Sequence, residues 1–139
     1  MHQTKNMAQA EQLLSVDAAL ADPNVRIWTE KTQNGRQGDV LIERLPNNSP
    51  LLDQVAGTPH IRRADRVVAR GSRAAHVLTH GDLYVIDSKT LLLVVQEPCA
   101  LLHLDTADDR HYPHVLTPGQ YKFWQQVEAT PEGVRQVAD

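Results

Sequence analysis

Residues 74–104 read AAHVLTHGDLYVIDSKTLLLVVQEPCALLHL, and this stretch decides the fold. Short apolar blocks are separated by turn chemistry, first His80-Gly81-Asp82 and then Asp87-Ser88-Lys89-Thr90, each suited to a tight hairpin. Turn signals that recur after every short apolar run are the mark of a β-sandwich or barrel. Working outward, the same alternation predicts strands at 25–29, 38–45, 66–70, 74–79, 82–87, 90–97, 99–104, 112–116, 120–128 and 134–138. Thr117-Pro118-Gly119-Gln120 and Thr130-Pro131-Glu132-Gly133 supply further turns. After Gly119, Tyr121, Phe123, Gln125 and Val127 share one strand face and Lys122, Trp124, Gln126 and Glu128 the other. The first face is the expected core, which leaves Trp124 to cover an edge or an interface.

The period is helical only at the start. Residues 6–21 (NMAQAEQLLSVDAALA) are dense in helix formers, and Asp22-Pro23-Asn24 stops them. So short and loosely amphipathic a helix is stable only when docked on the sheet or on a neighbouring subunit. The predicted organisation is a helix or arm over 1–24 and a β domain over 25–139. Residues 46–63 (PNNSPLLDQVAGTPHIRR) interrupt the strand pattern as a long excursion loop, a candidate partner contact. The fold class expected is all-β, a barrel or sandwich of jelly-roll or cupin-like type with a short N-terminal helix.

At 139 residues the chain has the length of one domain. Its single cysteine, Cys99, lies in an apolar run and reads as a buried thiol, which favours the cytoplasm. No stretch approaches the roughly 18 apolar residues of a membrane span, and no apolar signal core follows Lys5. A net charge of -3 opposes non-specific coating of nucleic acid. Locally, however, Arg62, Arg63, Arg66, Arg70 and Arg73 face only Asp65 in that stretch, a candidate anion or partner contact against the plainer reading of a solvated face.

Five of the seven histidines lie between 76 and 114: His76, His80, His103, His111 and His114. A metal-binding barrel often presents two ligands two apart on one strand, so that both face inward. Here Leu78 stands two positions after His76, and His111 and His114 are three apart, which sends them to opposite faces. The histidines therefore read as surface and edge groups partnered by Asp105, Asp108 and Asp109. The rival reading is a metal site drawn from His76, His103, Asp108, His111 and His114. No nucleophile elbow and no phosphate-cradling glycine loop is present.

The C-terminal two thirds resembles a family of small bacterial and phage-encoded β proteins of unassigned biochemical function. The resemblance rests on Gly38-Asp39-Val40-Leu41, Gly71 to His76, His111, Leu116-Thr117-Pro118-Gly119-Gln120-Tyr121, Gln126-Val127-Glu128, Pro131-Glu132-Gly133 and Arg135-Gln136-Val137-Ala138-Asp139. The chain departs from the family's Gly-Glu-x-Thr-Gly-His-x-His pattern at Gly71-Ser72-Arg73-Ala74-Ala75-His76-Val77-Leu78, where the glutamate and second histidine are lost. Asp108 stands where the first histidine of the later pair belongs. The resemblance implies the β fold and leaves the family's histidine chemistry incomplete.

The expected function is accordingly a non-enzymatic structural or protein-interaction module without a cofactor. It would bind its own copies or a larger assembly such as a phage particle, through Leu13, Leu20 and Trp124, in the cytoplasm or in a particle assembled there. The alternatives are a metal-dependent cupin-like enzyme or small-ligand binder, and an anion or nucleic-acid binder working through the arginine cluster.

Overall fold

The structure is a computed structural model and describes residues 15–55, 66–70, 74–105, 112–130 and 133–136. Its strands are β1 (Arg26–Ile27), β2 (Asn34–Gln37), β3 (Val40–Leu45), β4 (Val67–Arg70), β5 (Ala74–Leu78), β6 (Asp82–Val85), β7 (Thr90–Val95), β8 (Cys99–Asp105), β9 (His114–Leu116), β10 (Gly119–Gln125), β11 (Val127–Thr130) and β12 (Gly133–Gln136). Two short helices, α1 (Val16–Ala21) and α2 (Pro50–Val55), complete the described elements.

The strands form two five-stranded sheets, in the orders β1-β9-β8-β5-β4 and β2-β3-β10-β7-β6, with β11 and β12 as a separate pair. Pairing is antiparallel except where β1 runs parallel to β9. After β3 the chain alternates between sheets in pairs: β4 and β5 in the first, β6 and β7 in the second, β8 and β9 in the first. It then returns as β10 between β3 and β7. The sheets do not close on each other, so the fold is a sandwich rather than a barrel.

Alternation explains the core. Ala74, His76 and Leu78 of β5 are buried while Ala75 and Val77 are half-buried, so one face of the first sheet looks inward. Cys99, Leu101 and Leu116 of that sheet join Val40, Ile42, Leu83, Leu91, Leu93, Val95, Tyr121 and Phe123 of the second in one cluster. Burial of this kind stabilises by roughly 25 cal/mol per Å² of apolar surface, the main force holding the layers together. The Cys99 thiol is fully buried, and desolvation pushes its pKa up to about 12, as expected of an inert structural cysteine.

On the outer side of the first sheet, Ala19 of α1 packs with Ala100, Leu102 and Val115, flanked by Val16 and Val25. Ser15 caps this helix by accepting a hydrogen bond from the Ala18 N–H at 3.1 Å, and the Asp22 N–H bonds back to the Ala19 carbonyl at its end. Ser15 has extended backbone, with φ -115° and ψ 160°. Of the helix expected over 6–21, the described part is α1, which begins at Val16 after the Ser15 cap, and residues 1–14 lie outside the described residues.

Three further differences from the sequence reading have local causes. Strand β2 falls between the strands expected at 25–29 and 38–45, where none was expected; its Gly35 lies against the Trp28 ring, which a Cβ there would approach to 2.7 Å. The excursion at 46–63 carries α2. The strand expected over 120–128 ends at Gln125, and Val127 belongs to the separate β11–β12 pair rather than to the face of Tyr121 and Phe123.

Gly119 opens β10 with φ +155°, and a Cβ there would meet the Arg44 guanidinium at 3.1 Å. That guanidinium donates to the carbonyls of Thr29 and Pro118, both at 2.7 Å, and so cannot withdraw without cost. Gly119→Val should lower stability by about 1–3 kcal/mol in chemical denaturation, whereas an unchanged midpoint would mean that the turn relaxes freely.

Candidate functional site

The inward face of the first sheet carries three histidines. His76 on β5 lies directly across from His103 on β8, their ring centroids 4.7 Å apart, and His114 on β9 pairs in register with Leu101, two positions before His103. His76 and His114 are 1% and 2% exposed and His103 is half-buried. The expectation of surface and edge histidines is thus overturned for His76 and His114. Their parity with Leu78 and Leu116 on the core face drives them inside, where each must find polar partners.

The second sheet supplies those partners. Gln37 of β2 and Asp39 of the β2–β3 turn are both buried. The Gln37 side-chain amide donates to the Leu101 and Tyr112 carbonyls, each at 2.9 Å. Its orientation is thereby fixed, and its oxygen must accept from His76 Nδ1 at 2.8 Å. The other ring nitrogen, Nε2, stands 3.4 Å from Asp39 Oδ1. Asp39 Oδ2 accepts from the Gln125 side-chain amide at 2.8 Å, and the Asp39 carbonyl accepts from the Gln126 N–H at 2.8 Å. A Gln37–His76–Asp39–Gln125 chain therefore ties the two sheets together. Gly38, at φ +58° in the first central position of the two-residue hairpin loop, makes the tight turn that carries Asp39.

His114 has a different role. Its Nδ1 accepts from the Trp28 indole N–H at 3.0 Å, and it hydrogen-bonds the Arg36 backbone. Burial lowers its pKa from 6.5 to about 4, with the charges of Arg26 and His76 acting in the same direction and the Arg36 bond opposing them. Folded His114 thus stays neutral where the unfolded residue takes a proton. Below pH 6.5 the unfolded state binds more protons, so stability should fall as pH drops from 6.5 to about 4 and lose about 3 kcal/mol in all. Urea denaturation across that range should show the loss reduced in His114→Asn; equal slopes for parent and variant would remove His114 as its source.

With one nitrogen accepting from Trp28 and the ring also bonded to the Arg36 backbone, His114 does not offer a lone pair to a metal. Among the described residues no group of three or more His, Cys, Asp or Glu side chains is placed to hold an ion. Asp108 and His111 of the rival metal set lie outside the described residues, as do Arg62, Arg63, Arg73 and Leu13. Leu20 is exposed on α1. Arg66 adopts φ +55°, and its carbonyl accepts from the Leu78 N–H.

Arg70 leads to the second part of the site. Between the end of β4 and the ends of β6, β7 and β10 lies a cleft of about 680 Å³. Val68, Ala69, Val85, Leu91 and Phe123 form apolar walls, and Arg70, Lys89, Lys122, Asp87, Trp124 and Gln125 add polar groups and an indole. Gln125 belongs to both features, since it lines the cleft and donates to Asp39. The cleft and the buried His76–Asp39 pair therefore meet at one end of the sandwich. Of these residues, sequence reading singled out His76, His103, His114, Arg70 and Trp124; it missed Gln37, Asp39 and Gln125 as site residues, although Asp39 stood in the quoted Gly38-Asp39-Val40-Leu41 motif.

A domain of unknown function, DUF8820, matches residues 36–126. The chain belongs to this family. The DUF8820 span includes the whole Gln37–His76–Asp39–Gln125 chain, His103, His114 and every residue lining the cleft. No curated protein and no solved structure matches the chain.

Proposed function

We propose that this DUF8820 protein is a small-ligand-binding module whose site is the cleft at the open end of the sandwich. The observation that carries this reading is the cleft itself: about 680 Å³, apolar-walled, with an amide at its margin anchored to a buried carboxylate. Ligand sites commonly have that size and that mixture of apolar walls with a few fixed polar groups. The hydrogen bond from Gln125 to the buried Asp39 carboxylate pre-organises this side chain and lowers the cost of binding. N-phenyl-1-naphthylamine, a neutral fluorescent probe, should bind saturably at one per chain, and Trp124→Ala should weaken it about tenfold, the effect of removing one aromatic wall. No saturable binding, or binding indifferent to Trp124→Ala, contradicts the reading.

A second reading has its own support. Leu20, Ile27 and Leu104 are large apolar side chains left exposed, on α1, β1 and β8 of the first-sheet side. Exposed apolar groups of this kind suit a protein contact. The resemblance to small bacterial and phage-encoded β proteins adds a context, a structural part of a larger assembly in the cytoplasm or in a particle formed there. Light scattering of the parent beside Leu20→Ser/Ile27→Ser tests it: a larger parent mass that falls in the variant supports association, and a monomeric parent opposes self-association. No described helix is long and apolar enough to cross a membrane.

A further inference from the structure

We infer that the cleft selects organic anions with a flat apolar body, the anionic group held by Arg70 and Lys89 at the mouth and the body lodged between the sheets; the inference rests on the ligand-binding reading above. Charge and shape both point there. Three cations, Arg70, Lys89 and Lys122, line the cleft against one acid, Asp87.

The acid is already committed. One Asp87 carboxylate oxygen accepts from the Lys89 N–H at 2.8 Å, which holds it in its own turn, and Lys122 lies close enough to act on it electrostatically. The Lys122 ammonium also sits 5.0 Å from the centre of the Trp124 ring. Arg70 and Lys89 are exposed, and among the described residues neither has a carboxylate partner. They are the cations best placed to meet an incoming anion, and a guanidinium suits a carboxylate, sulfonate or phosphate because its planar fork can bond two oxygens at once.

The walls fix the remainder of the ligand. Val68 and Ala69 belong to the first sheet, whereas Val85, Leu91 and Phe123 belong to the second, so the apolar part of the cleft is a slot between two layers. A slot of that kind admits a flat body more readily than a bulky one. Gln125 lies on β10 among the same walls, with its amide nitrogen given to Asp39.

Two probes of one ring system separate this inference from the reading beneath it. N-phenyl-1-naphthylamine is neutral, and 8-anilino-1-naphthalenesulfonate carries a sulfonate on the same skeleton. In low salt the sulfonate should bind the full chain about tenfold more tightly than the neutral probe, and the preference should shrink as salt rises. In Arg70→Gln/Lys89→Gln the preference should vanish, and an unchanged urea midpoint reports that the variant is folded. Equal affinity for the two probes in the parent overturns the anion inference and leaves ligand binding standing. A preference that survives the double variant overturns it as well, because the anionic group then sits elsewhere. If neither probe binds, the inference falls together with the ligand-binding reading.

Discussion

Phe123→Ala should lower the unfolding free energy by about 3 kcal/mol, near the lower end of the range for a buried phenylalanine. The ring is fully buried at the centre of the second sheet, where β10 pairs Phe123 with Ile42 on one side and Leu91 on the other. Truncation removes apolar burial and leaves a void in the main core cluster. Phe123 also borders the cleft, so part of that void opens to water, which argues against a cost at the top of the range. Lys122→Ala is the control. That half-buried side chain faces the other way and stands over Trp124, a contact worth about 0.5–1 kcal/mol at an accessible site. Urea denaturation of the two variants beside the parent decides the matter; if Phe123→Ala melts like the control, the assignment of core and outer faces on β10 is wrong.

The second large effect lies in the polar core. His76→Leu removes the imidazole that faces the Asp39 carboxylate and leaves the Gln37 oxygen without its His76 donor. The His76 Nδ1 proton is committed to Gln37, and Nε2 faces Oδ1 at 3.4 Å within a pair that is 1% and 4% exposed. Removing one member of such a buried pair costs about 3–5 kcal/mol, since the surviving charge has lost its compensation. Asp39→Asn in the His76→Leu background removes that charge, and it should recover about 1 kcal/mol or more of the loss. A double-mutant cycle by chemical denaturation measures the coupling. Strictly additive single effects would show that His76 and Asp39 do not act as a pair.

These two residues also show where sequence reading succeeds and where it stops. The strand pattern around Tyr121 and Phe123 was legible because alternation and the Pro118-Gly119 turn agree, and both side chains are fully buried. β2 was hidden because its glycine answers to Trp28, a partner seven residues earlier that no local propensity reveals. The histidines were misplaced for a related reason. A search for ligand pairs within one strand passes over His76 and His103, which meet across β5 and β8, although the parity of His76 with Leu78 and of His114 with Leu116 already put both on the core face. Gln37 precedes a tight turn and Asp39 lies in it, where polar residues ordinarily face water. Only the approach of the first sheet, through the carbonyls of Leu101 and Tyr112 and the ring of His76, makes them interior groups. The cleft depends on two sheets distant in sequence, so its lining could not be assembled from local pattern.

Mapping the bound probe on the protein tests the central claim most directly. In amide NMR spectra of the full chain titrated with 8-anilino-1-naphthalenesulfonate, the account predicts saturable shifts at Arg70, Val85, Lys89, Leu91, Gln125 and the Trp124 indole N–H. Val95 and Leu116, core residues outside the cleft lining, should stay in place, as should the Trp28 indole N–H bonded to His114. Saturable shifts centred instead on Leu20, Ile27 and Leu104, with the cleft residues unmoved, would contradict the claim that the open end of the sandwich is the binding site.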